Sequence, residues 1–237
     1  MKKLIIFFGL MLYVAAYSNA QENPARKVAK GDSYDQTGFY FGANGALNVS
    51  FIMHQFSYGG KELDYAQTIR GAGGLIMGYN IIHNFGIAVE GYYSGQGQNY
   101  EDNSGVPMRK EIKLDYLQVP VMLKLMSGLC RSQFYIMAGP QFGFLQSESI
   151  TINGVTQHPP TENGGSFFVN HDLSARFEIG DDLQLIGNLY FHGGLNFNMG
   201  FNDINQPALR RDYPSHPYQS SNNAWGGANI GLHYMVK

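Results

Sequence analysis

The chain has 237 residues, the length of one domain, and its 16 Lys+Arg against 18 Asp+Glu leave a formal charge of −2, without the basic excess that nucleic acid requires. A mean hydropathy of −0.22 excludes a bundle of transmembrane helices. The single cysteine, Cys130, can form no internal disulfide, while 16 Tyr, 16 Phe and 30 Gly with 14% charged residues favour β-structure.

The first element in chain order is an address. Lys2 and Lys3 precede an apolar run, Leu4 to Ala16, that is too short to cross a bilayer as a helix. Ser18-Asn19-Ala20 follows, then Gln21, so residues 1–20 are read as a signal peptide cleaved after Ala20. Residues 21–37 are polar, with Pro24, Gly31 and Asp32, and are read as a periplasmic lead-in to a domain covering 38–237.

From residue 38 onward the dominant signal is alternation with period two. Gly38 to Phe51 places Phe39, Phe41, Leu47, Val49 and Phe51 on one face, with Asn44, Asn48 and Ser50 on the other. That length crosses a bilayer as a tilted strand. Seven further segments are predicted, at Arg70 to Tyr79, Phe85 to Ser94, Ile112 to Leu125, Gln133 to Gln146, Phe168 to Ile179, Leu183 to Leu195 and Ala224 to Val236. The connections left between them are 52–69, 80–84, 95–111, 126–132, 147–167, 180–182 and 196–223. Long and short alternate throughout, with turn residues such as His83-Asn84, Ser127-Gly128 and Gly180-Asp181-Asp182 in the short ones. Outer-membrane barrels alternate in this way, with short periplasmic turns and long outer loops. Strands in lipid must close on themselves, because an open edge leaves backbone groups without partners. The expectation is an all-β fold, an eight-stranded antiparallel up-and-down transmembrane β-barrel in the outer membrane. Its partners are outer-membrane lipid and lipopolysaccharide. Phe39, Tyr40, Phe51, Tyr79, Phe85, Tyr92, Tyr93, Phe134 and Tyr234, near segment ends, are candidates for interfacial aromatic girdles.

Three stretches carry a family resemblance: Val89-Glu90-Gly91-Tyr92-Tyr93-Ser94-Gly95, Leu114-Asp115-Tyr116-Leu117-Gln118-Val119-Pro120-Val121-Met122-Leu123-Lys124, and Tyr135-Ile136-Met137-Ala138-Gly139-Pro140-Gln141-Phe142-Gly143. They resemble strands of the PorT-like outer membrane β-barrel proteins of Bacteroidetes. The sequence departs from that pattern at Gln118, where Glu is usual. It also ends Tyr234-Met235-Val236-Lys237 and not on an aromatic residue. The resemblance implies the barrel, and through one member a link to secretion, but no activity.

The polar face holds Glu90, Lys124, Asp172, Arg176 and Glu178, which a barrel turns into its lumen. Eight strands leave room only for side chains, so these charges are expected to pair into a plug. Glu90 and Lys124, on consecutive segments, are the expected pair, and Pro120 predicts a local bulge. No histidines stand at metal-binding spacing, so neither a metal nor another cofactor is expected. No outward nucleophile–base–carboxylate set is visible, so no enzyme is expected. Arg210, Arg211 and Tyr213 in the last long connection mark a candidate partner-binding loop for an envelope or secretion-system protein, a glycan or lipopolysaccharide. The functional expectation is a structural, anchoring or partner-binding barrel, linked to secretion or surface assembly. A narrow small-solute channel and a secreted lipocalin-like carrier are the alternatives.

Overall fold

A computed structural model describes residues 36–53, 64–102, 108–127, 131–159, 165–210 and 217–236. The predicted leader and most of the lead-in lie outside the described residues. Alternation produces ten strands: β1 (Gly38–Ile52), β2 (Asp64–Ala66), β3 (Ile69–Ile82), β4 (Phe85–Asp102), β5 (Met108–Met126), β6 (Ser132–Ile152), β7 (Val155–Thr156), β8 (His171–Ile186), β9 (Leu189–Gly200) and β10 (Asn223–Val236). Eight of them form the barrel in the order β1-β3-β4-β5-β6-β8-β9-β10, and β10 pairs back to β1. Every pairing is antiparallel. β2 and β7 are short additions, on β4 and β6. Among the described residues no helix is long and apolar enough to cross a membrane.

The registers fix the tilt of the strands. From Ser94 the paired residues run through Ala72, Ala46, Asn229, Gly194, Gly180 and Tyr135 to Met126. The Met126 amide bonds the carbonyl of Asn84, ten residues before the start, so the barrel has a shear of ten. Shear of this size in eight strands requires steep tilt, on the order of 35–45°, and leaves a lumen that side chains fill.

The apolar face points outward. Leu47 is 69% exposed and Leu75 70%, and the same face carries Leu117, Val121, Leu123 and Leu125 along β5. The inward face is polar. A lipocalin-like carrier needs the reverse arrangement, and that alternative is overturned.

Four local expectations are also corrected. Gly180-Asp181-Asp182 is not a turn; it lies within β8, and the chain turns at Gly187-Asn188, where Gly187 has φ 54°. Gly180 is needed in the strand because a Cβ there would meet the Tyr135 ring and hydroxyl. The connection expected at 95–111 is mostly strand, since β4 and β5 continue their pairing to Asp102↔Met108. Pro120 makes no bulge. The β4–β5 register is the same at Val89↔Val121 and Tyr92↔Gln118, and only the intervening bridges are missing. The ladder shifts instead between Asp115 and Tyr116, opposite β6. Finally, Phe39, Tyr79 and Tyr234 face outward as a girdle requires, but Tyr40 and Tyr92 are turned into the lumen by their even position.

Candidate functional site

The lumen is built in layers. Near the termini, Tyr40, Met122, Met126, Tyr135, Met137 and Met235 pack into an apolar floor. Above it, strand parity brings the charges together. Glu90, Lys124, Arg176 and Glu178 are each 1–2% exposed. Lys124 Nζ donates to Asp182 Oδ2 at 2.5 Å and lies 5.0 Å from the Tyr40 ring centroid. Arg176 donates from Nη2 to Glu178 Oε2 at 2.8 Å, and its Nη1 is 2.9 Å from Glu90 Oε2. The contact with Glu90 is an ion pair outside hydrogen-bond alignment, and the guanidinium also faces the rings of Tyr92 and Trp225, at 4.8 and 5.7 Å.

Glu90 and Lys124 therefore do not pair with each other, contrary to expectation. Each reaches across to β8, because inward side chains of a narrow barrel meet over the lumen as readily as along the wall. Asp172 faces inward but belongs to another layer, where it accepts from Asn223 Nδ2 at 3.1 Å. The expected cluster is thus two groups, with Asp182 and His192 as added members of the first. His192 lies between two carboxylates, with Nδ1 2.7 Å from Asp182 Oδ1 and Nε2 2.8 Å from Glu178 Oε1. Glu178 Oε1 also accepts from Tyr135 Oη and Asn229 Nδ2, both at 2.8 Å. The even-numbered alternation 172, 174, 176, 178 continues to 182 and was the available signal for Asp182.

Between this network and the outer mouth lie buried polar groups without hydrogen-bond partners, among them Asn48, Gln96, Asn196 and Trp225 Nε1. So many unpaired groups in one stretch require water. Farther out, Ile52, Tyr100, Ile112, Leu114, Tyr116, Phe168 and Ile204 form an apolar lid. β4 reaches across the mouth to make it: Gly97 N donates to Ser50 Oγ at 3.0 Å and Tyr100 Oη to the Ile52 carbonyl at 3.1 Å. Glu148 fixes the loop carrying Phe168, accepting from the amides of Phe167 and Phe168 at 2.7 and 3.1 Å.

The last loop is folded against this lid. Arg210 binds its own loop, with Nε 3.0 Å from Asp203 Oδ2 and Nη2 donating to the Asn205 carbonyl at 2.9 Å. Tyr218 donates to Asp203 at 2.7 Å, and burial with the neighbouring carboxylate pushes its phenol up to about 12. Arg210 is a brace of the loop, while Arg211 and Tyr213 lie outside the described residues. On the outer surface of β4 and β5, Glu101–Arg109 and Glu111–Lys113 pairs stand just beyond the apolar belt, and Arg70 of β3 reaches Glu111 at 3.7 Å. They mark where lipid gives way to water.

A closed lumen, an apolar outside and a charged outer rim define an outer-membrane β-barrel. Residues 19–206 match the family model described as outer membrane protein beta-barrel domain, and the chain belongs to that family. Among solved structures it is similar to Neisserial surface protein A, at TM-score 0.50 and 13% identity over 84% of this chain and 98% of that one. It is equally similar to the outer membrane protein OprG from Pseudomonas aeruginosa, at TM-score 0.50 and 13% identity over 86% and 98% of the two chains. At this identity the likeness is one of fold. No curated protein sequence matches the chain.

Proposed function

We propose that this barrel is an anchored platform that acts through its outer face, binding an envelope component or surface partner, and carries neither solute nor catalysis. The observation that carries the reading is double closure. The network of Glu90, Arg176, Glu178, Lys124, Asp182 and His192 blocks the lumen below, and the lid of Phe168 and Ile204 covers it above. A barrel that conducts has no use for both. The braced loops, held by Glu148, Asp203 and Arg210, give a partner or lipopolysaccharide a preformed surface.

The motifs in β4, β5 and β6 favour a place in the PorT-like branch of Bacteroidetes barrels, and hence a role beside secretion or surface assembly. The layout of residues 1–20 favours a leader cleaved after Ala20, which N-terminal sequencing of the mature protein checks. The unpaired polar groups in the middle of the lumen are the one observation in favour of a narrow channel. Planar-bilayer recording decides between the two. The platform predicts a silent barrel, and discrete, reproducible conductance steps from the folded protein overturn it.

A further inference from the structure

Three inward side chains on neighbouring strands converge below the Arg176 layer. Asp182 of β8 is paired in register with His192 of β9, and His233 follows on β10 beside Tyr190. One ligand atom from each lies within 4.8 Å of the others, and all three residues are buried. The two imidazoles stack, with centroids 4.2 Å apart. We propose that Asp182, His192 and His233 are the ligands of a divalent first-row transition-metal site at the base of the lumen.

The arrangement around the histidines supports this. His192 Nε2 is held by Glu178 Oε1 at 2.8 Å, and His233 Nε2 by Asn44 Oδ1 at 3.0 Å. In the tautomer that carries the proton on Nε2, each outer nitrogen donates to an oxygen and each Nδ1 keeps its lone pair on the side of Asp182. Metal-bound histidines are oriented in this way, with the far nitrogen donating to a carboxylate or amide oxygen. The carboxylate is shared without conflict: Lys124 takes Oδ2, and Oδ1 faces the two imidazoles.

Ligands about 2.1 Å from an ion lie about 3.0–3.4 Å apart in octahedral or tetrahedral arrangements. Asp182 Oδ1 is 2.7 Å from His192 Nδ1, shorter than that range, and 3.9 Å from His233 Nδ1, longer than it, so an ion has to part the first pair by about 0.3 Å and draw the second together by about 0.5 Å. Among the described residues Glu90, Glu178 and Asp182 face Lys124 and Arg176 as permanent cations, which leaves one unbalanced negative charge to attract a cation to the histidines; a divalent ion turns that charge positive by one. A proton shared by His192 is the competing occupant of that position. Two imidazoles and one carboxylate suit zinc, cobalt, nickel or copper. No local spacing reveals the set, because its members are ten and 41 positions apart and meet only through strand pairing.

The test uses the full barrel without a histidine tag, refolded in detergent with Zn²⁺ or Co²⁺ and then freed of loose metal by gel filtration. Metal content is read by mass spectrometry and the cobalt site by visible absorption. The expected result is one ion per barrel, a cobalt spectrum with nitrogen and oxygen ligation, and displacement of cobalt by zinc. His233→Gln is expected to lose the ion, and Asn44→Ala to weaken binding by about 10–100-fold. His158→Gln, on an exposed loop, serves as the surface control and retains it. Heat-modifiable migration on gels shows which variants fold. If the wild-type barrel carries well under one ion, or if folded His233→Gln binds as much as wild type, the site does not exist and a proton occupies the position. The wild-type cobalt spectrum decides the matter even where a variant fails to fold.

Discussion

Among the described residues Arg176 is the largest fully buried side chain of the lumen, and the cost of removing it follows from its surroundings. Arg176→Met leaves Glu90 and Glu178 facing each other without the cation that lies 2.9 and 2.8 Å from them. Breaking a buried pair in this way costs about 3–5 kcal/mol, mostly through the stranded charge. Glu90→Gln is milder, because Arg176 keeps its aligned bond to Glu178. The double variant Arg176→Met/Glu90→Gln removes one charge of each sign, so it is predicted to be more stable than Arg176→Met alone by about 1–3 kcal/mol. The chain has one tryptophan, Trp225, whose ring lies 5.7 Å from the Arg176 guanidinium. Its fluorescence therefore reports on the lumen directly during urea unfolding in detergent or vesicles. Costs of the two single variants that simply add in the double refute the coupling. An Arg176→Met barrel within about 0.5 kcal/mol of wild type refutes the plug as a source of stability.

Lys110, in the part of β5 above the membrane, is pulled down to about 8 by burial. Its charged form is therefore penalised in the fold, the unfolded chain holds the proton more tightly between about pH 8 and 10.5, and stability rises with pH across that window. Lys110→Met should raise the midpoint of unfolding at pH 7 and flatten the rise, as followed by urea titration at several pH values. Gly74→Ala should prevent folding, because a Cβ there collides with the backbone of Gly91 and Tyr92. Gly91→Ala should be tolerated, since nothing lies within 4 Å of the added atom; heat-modifiable migration on gels separates the two. Phe168→Ala with Ile204→Ala should cost several kcal/mol in local packing and admit protease to the outer loops. The lumen network should still keep the barrel silent in a bilayer.

The fold was legible because period-two alternation has one physical cause, a wall with lipid on one side and packed polar groups on the other. Parity also located Glu90, Lys124, Asp172, Arg176 and Glu178 on the correct face. Their partners were not legible. Glu90 to Arg176 and Lys124 to Asp182 are contacts across the lumen, set by a shear that registers reveal and local spacing does not. Asp182 was hidden for a different reason: Gly180-Asp181-Asp182 has the composition of a turn, whereas the glycine makes room for Tyr135 and the acids bind Ser132 and Lys124. Pro120 misled in the same way, since losing bridges to β4 did not require a change of register. The lid was not legible because Ile204 lies in a connection, and Phe168, expected as the first residue of a strand, lies in the connection before β8; the two meet through loop-to-loop bonds such as Val169 N to the Ile204 carbonyl at 2.8 Å.

A membrane-spanning barrel must turn the odd-numbered face of β5 to lipid, and spin-label accessibility measures that most directly. With Cys130 replaced by Ser, nitroxides at Leu117, Val121 and Leu123 and at Arg109 and Lys113 sample the outward face in reconstituted vesicles. The prediction is that the first three are reached by oxygen and shielded from a water-soluble nickel chelate. The last two, beyond the belt, should be open to the chelate. Equal exposure of all five sites to the chelate would mean that the apolar face does not lie in a bilayer, and would contradict the membrane-spanning barrel.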